Sequence, residues 1–178
     1  MRPRPHPGLR PRGAAPLVLA LLFAAACSPS RAAPTDGAAT VVSVTDGDTI
    51  DVDFGGDVEP VRLLGIDTPE THHPTKPVEC FGAEAAARTG ALLPAGTPVR
   101  LVRDVEARDR FGRLLAYVYR AADGLFVNRS LAEDGYADVL DIAPNDAHAA
   151  ELARLVAGAR AEGRGLWGAC GGPDVPVR

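Results

Sequence analysis

Apolar positions along this chain fall in short alternating runs that later give way to helical spacing. Residues 39–44 (ATVVSV) and 49–54 (TIDVDF) carry β-branched side chains in partial alternation, and Gly55-Gly56 turns the second run into residues 58–66 (VEPVRLLGI). Runs of this kind, punctuated by glycine, predict a meander of three strands. Residues 81–93 (FGAEAAARTGALL) are alanine-rich and stop before Pro94, which predicts a short helix. Strand character returns over 98–104 (PVRLVRD) and 113–120 (RLLAYVYR), and Asp123-Gly124 marks a turn. Asn128 is placed to cap a short helix, and Asn145 or Asp146 to cap a last one that runs to Glu162 and stops at Gly163. There Leu152, Leu155, Val156 and Ala159 share one face, which predicts core contact. The order of elements predicts an α+β, mainly β domain: a five-stranded barrel of OB type with about three helices against it.

Length and composition agree with a single domain. A chain of 178 residues with 46% hydrophobic content can bury one real core and is short for two. Residues 1–27 stand apart, because four arginines without an acid precede the apolar run AAPLVLALLFAAAC. A basic start, a short apolar stretch and small residues before Cys27 read as an export signal. The run is too short to span a bilayer comfortably. Free secretion and lipid attachment at Cys27, which would anchor the protein to a membrane, both fit FAAAC. Residues 28–39 read as a flexible linker, 40–170 as the folded domain and 171–178 as a C-terminal tail.

Removing the signal changes the charge. Its four arginines leave 15 Lys and Arg against 23 Asp and Glu, a net charge of −8. That argues against affinity for a polyanion through many phosphate contacts, so any such substrate must be held by a few placed cations. Cys80 and Cys170 are an even pair in an exported domain, where a disulfide is the expected state. No CxxC or Cys/His array suggests zinc, and His72, His73 and His148 read as solvated loop or helix residues.

The chemistry concentrates in two acidic stretches, VTDGDTIDV (44–52) and LLGIDTPET (63–71). Taken singly, Asp48, Arg62, Glu70 and Arg113 read as turn or surface residues, and Asp46 and Thr49 as supporting turn residues. Together, DGDT (46–49), RLLGIDTPE (62–70), ECFGAEA (79–85), DRFGRLLAYVY (109–119) and GLWG (165–168) stand in order and spacing that resemble the staphylococcal nuclease (thermonuclease-like) family. The resemblance runs from Val41 to about Trp167.

That resemblance implies an OB-fold barrel with three helices, one bound Ca2+ ion, and hydrolysis of DNA or RNA at the 5′ P–O bond to leave 3′-phosphates. It implies Asp48, Asp67 and the backbone carbonyl of Thr68 as calcium ligands, Glu70 as general base, and Arg62 and Arg113 as phosphate-clamping arginines. Lys76 and Arg110 match basic positions beside the phosphate. Two carboxylates make a weak site, in the range of roughly 10⁻⁴ to 10⁻³ M found for extracellular calcium modules. Phe111 stands where the family has a tyrosine, and DVLDIAPNDAH (138–148) lacks the pair of tyrosines that hold the nucleotide base. The expected protein is thus an exported, monomeric Ca-dependent nuclease. The rival readings are a catalytically silent OB-fold binding module and a calcium-binding lipoprotein.

Overall fold

The computed structural model describes Met1 and residues 37–71 and 77–177. Residues 2–27, read above as an export signal and including Cys27, most of the residues read as a linker, Lys76, His72 and His73 lie outside the described residues. The chain forms β1 (Gly37–Asp46), β2 (Thr49–Asp53), β3 (Val58–Leu63), β4 (Gly65–Asp67), α1 (Gly82–Leu92), β5 (Pro98–Val102) and β6 (Leu114–Arg120). There follow α2 (Val127–Glu133), β7 (Asp138–Leu140), α3 (Ala149–Glu162) and the single turn α4 (Leu166–Ala169). Five strands close a barrel in the order β1-β2-β3-β6-β5, and β4 pairs with β7 beside it. Neighbours in the barrel are antiparallel except β3 and β6, which run parallel with Arg62 opposite Leu115. The five-stranded OB-type barrel expected from the sequence is therefore present.

The parallel pair explains the unbroken apolar run of β6. Leu114, Ala116 and Val118 enter the main core, which is completed by Leu131, Leu152, Val156 and Leu166 from the helices. Leu115 and Tyr117 point the other way, into a second cluster with Leu64. A strand covered on both faces has no polar side to alternate with. The face of α3 read from the sequence, Leu152, Leu155, Val156 and Ala159, is buried as expected.

Four local expectations are corrected. The run 58–66 is not one strand: it breaks at Leu64, and Gly65 continues at φ +77, a backbone state that favours glycine. A Cβ at Gly65 would meet Leu152 Cδ1 at 2.4 Å, so α3 packs directly on this break. Asn128 caps nothing. It lies inside α2, fully buried, accepting a hydrogen bond from Val118 N at 2.9 Å and donating to Leu64 O at 2.9 Å. Asn145 and Asp146 do not cap α3 either; the N-cap is His148. Asn145 instead accepts from Glu106 N at 2.7 Å. His148 is not solvated but half-buried, its ring 4.5 Å from that of Tyr117 and 4.8 Å from that of Phe126. Buried backbone groups of Val118 and Leu64 recruited Asn128, and a cap preference is weaker than that demand.

Cys80 and Cys170 form a disulfide across a sequence separation of 90. No helix among the described residues is long and apolar enough to cross a membrane. Closing a loop of that length should stabilise the oxidised protein by about 4 kcal/mol or less over the reduced one, from the chain-entropy argument. Denaturant midpoints with and without reductant measure the difference, and equal midpoints would contradict it.

Candidate active site

The two acidic stretches meet beside the end of β3. Asp48 follows the turn between β1 and β2, and its Oδ2 accepts from Thr68 N at 2.8 Å and Thr68 Oγ1 at 3.1 Å. Gly47 allows that approach, since a Cβ there would lie 2.6 Å from Thr68 Oγ1 and 2.9 Å from Ala85 Cβ. Asp48 Oδ1 accepts from Thr49 Oγ1 at 3.1 Å.

Arg62 joins the stretches a second time. Its side chain is 5% exposed, and a buried guanidinium demands partners for its donors. Nη1 donates to Leu63 O at 2.9 Å and Ile66 O at 2.8 Å. Nη2 reaches Asp67 Oδ1 at 2.6 Å and Asp48 Oδ2 at 3.2 Å. Both carboxylates thus touch one nitrogen, and the two distances add to 5.8 Å, the largest separation those oxygens can have. Asp67 keeps half of its side chain in solvent.

Arg113 arrives from the loop before β6. Its Nε donates to Asp109 Oδ2 at 2.7 Å, while Asp109 Oδ1 accepts from the backbone of Phe111 and Arg113, each at 2.9 Å. Arg113 Nη1 also lies 3.5 Å from Thr49 Oγ1. A cleft of about 770 Å³ brings together Asp48, Arg62, Asp67, Thr68, Glu70, Arg110 and Arg113. Phe111 lines it at 70% exposure, with the guanidinium of Arg110 4.7 Å from the ring centroid and that of Arg113 at 5.5 Å. Leu140 and Ile142 add apolar side chains to the lining of the cleft. Of the residues expected to bind metal, clamp phosphate or act as base, only Lys76 falls outside the described region.

The structure gives three residues larger parts than the sequence suggested. Thr49 stands between Asp48 and Arg113. Asp109 aims Arg113, a pairing signalled only by the four-residue spacing to the arginine. Asp46 is more than a turn residue: it accepts from Gly47 N at 2.8 Å and Thr71 Oγ1 at 3.1 Å and shares a hydrogen bond with the Glu70 carboxyl. Burial first, and then that bond, push the Asp46 carboxyl up to about 7. Asp46 therefore keeps its proton well above the usual carboxylate range, with the Glu70 carboxyl as its hydrogen-bond neighbour.

The donors suit a hard cation. They are oxygens throughout, two carboxylates and the Thr68 carbonyl, with no nitrogen or sulfur ligand among them. Among the described residues, no group of three or more His, Cys, Asp or Glu is arranged to hold a metal ion. A cation at Asp48 and Asp67 would draw most of its ligands from water or substrate.

Comparison with known proteins gives the same grouping. The profile described as Staphylococcal nuclease homologue matches residues 60–169. A thermonuclease of Staphylococcus hyicus is 38% identical over 136 residues, covering 74% of this chain and 79% of the relative. A thermonuclease of Staphylococcus intermedius is 45% identical over 106 residues, 60% of this chain and 61% of that protein. The endonuclease YncB of Bacillus subtilis is 40% identical over 100 residues, 56% of this chain and 46% of its own length.

Raising the folded-state value of Asp46 from 3.8 to about 7 has a defined sign. The bound proton stabilises the fold fully below about pH 4, and that contribution is lost as pH rises through 7. Asp46→Asn, which cannot ionise, should therefore raise the melting temperature in chelator more at pH 8 than at pH 5. An equal change at both pH values would show that Asp46 does not hold the proton.

Proposed function

We propose that this chain, which belongs to the staphylococcal nuclease family, is an exported, calcium-dependent nuclease that hydrolyses DNA or RNA at the 5′ P–O bond and leaves 3′-phosphates. The observation that carries the reading is the convergence of Asp48, Asp67, Glu70, Arg62 and Arg113 on one cleft. Nuclease activity is supported by relatives named thermonuclease and endonuclease. Export is supported by the pattern of residues 1–27 and by the disulfide, which suits an oxidising compartment.

Asp48, Asp67 and the Thr68 carbonyl would hold the calcium ion. Bound there, a hard cation neutralises phosphate charge and favours attack by water. Arg62 and Arg113 present planar forks to the phosphate oxygens, and Arg113 faces the leaving 5′-oxygen. Glu70 takes the proton of the attacking water, and its partner Asp46 keeps the local carboxylate charge from doubling. Phe111 and Arg110 line the rim of the cleft that substrate must cross.

Two experiments test this reading. A plasmid-nicking assay should show cleavage with Ca2+, none in excess chelator, and none for Asp48→Ala at any attainable calcium concentration. Full activity in chelator would remove the metal from the proposal, and no cleavage under any condition would leave the silent binding module. Arg113→Lys keeps the charge but loses the planar fork, so kcat should fall on the order of 10²-fold if Arg113 serves the transition state. A rise in KM with kcat unchanged would make Arg113 a substrate-binding residue only.

A further inference from the structure

We infer that Glu79 is a positioning residue for Glu70, clamping the backbone from which the general base projects. The inference rests on the reading of Glu70 as that base. Glu79 is 7% exposed, an expensive place for a carboxylate unless its oxygens are used. One is used on Glu70: Oε2 accepts from Glu70 N at 2.9 Å. The backbone answers in the opposite direction, with Glu79 N donating to Glu70 O at 2.9 Å. A single residue therefore occupies both backbone polar groups of Glu70.

The clamp is closed on its other sides. Pro69 fixes φ immediately before Glu70 and offers no donor. Gly82, the first residue of α1, packs so closely that a Cβ there would come within 2.9 Å of Glu70 O and 3.0 Å of Pro69 O. Gly82 N donates to Glu79 O at 3.2 Å, which ties the clamp to the helix. Behind it, the tail pairs with the same segment: Cys80 N donates to Val175 O at 2.6 Å, Val177 N to Val78 O at 3.0 Å, and Cys170 is bonded to Cys80. Glu79 lines a separate cleft beside that disulfide and not the one that holds Asp48 and Arg62. It acts on the chemistry only through Glu70.

Kinetics of the Glu79 variants, alone and combined with Glu70→Gln, test the inference. Glu79→Leu removes the acceptor and should lower kcat by about 10- to 100-fold, the scale of a displaced catalytic group, with KM within about twofold. Glu79→Gln keeps an oxygen acceptor and should stay within about threefold of the parent. Glu79→Asp keeps the charge in a side chain too short to reach, so it should lose activity like the leucine variant and guards against failure of that variant to fold. Because Glu79 works through Glu70, Glu79→Leu should change the residual rate of Glu70→Gln less than about threefold, a non-additivity that general loosening of the fold would not give. Equal losses in both backgrounds, or full kcat in both Glu79→Leu and Glu79→Asp while Glu70→Gln is impaired, overturn the positioning role. Full activity of Glu70→Gln itself would instead overturn the general-base reading on which it rests.

Discussion

A buried arginine at the end of β3 sets the terms for everything around it. Arg62 carries a charge that cannot be left unpaired in the interior, and its donors have few directions in which to go. Two of them bind the carbonyls of Leu63 and Ile66, which bends the chain out of the barrel between β3 and β4. Its Nη2 gathers Asp48 and Asp67 onto one nitrogen. Without Arg62 the two carboxylates would repel each other at close range. Without the carboxylates, burial of the guanidinium would cost several kcal/mol.

The bend at 63–67 then dictates how the helices pack. Leu64 is thrown outward to the cluster formed by Leu115 and Tyr117, and its carbonyl, lost to the barrel ladder, is taken by Asn128 of α2. Gly65 gives α3 a surface without a side chain, and Leu152 fills it. The parallel pairing of β3 with β6 sets Arg62 beside the strand that Arg113 leads into, so the two arginines approach one cleft from different sequence regions. Structural and chemical demands on Arg62 are met by the same contacts.

Much of this was legible in the sequence because its signals are local. Alternation marked the barrel strands, glycine marked their turns, and the apolar face of α3 was read residue by residue. The site residues were legible as a set, through the spacing of DGDT, RLLGIDTPE and DRFGR. What escaped was long-range demand. Asn128 has the chemistry of a cap, yet two buried backbone groups, Val118 N of β6 and Leu64 O at the break after β3, had the stronger need. The three-residue strands β4 and β7 are too short to show a period. Asp46 and Glu79 look like ordinary acids until the fold sets each against Glu70.

A chain that is net negative outside its first 27 residues can still hold cations for a polyanion, and the pairing pattern explains how. Arg62 is matched by Asp48 and Asp67, and Arg113 by Asp109, so each cation is neutralised at short range where screening by salt is weakest. The pairing also holds each planar fork in a fixed orientation, which removes the rotamer entropy that a long, solvated arginine would lose on meeting a phosphate. The same carboxylates compete with that phosphate for the donors. Arg62 is the more constrained of the two, since its Nη1 also serves the fold. Arg113 is more exposed and has Thr49 as its further neighbour, so it can exchange a partner without disturbing the barrel. On the proposed reading, Arg113 is therefore the arginine better placed to follow charge that moves during the reaction, and Arg62 the one whose position the fold sets.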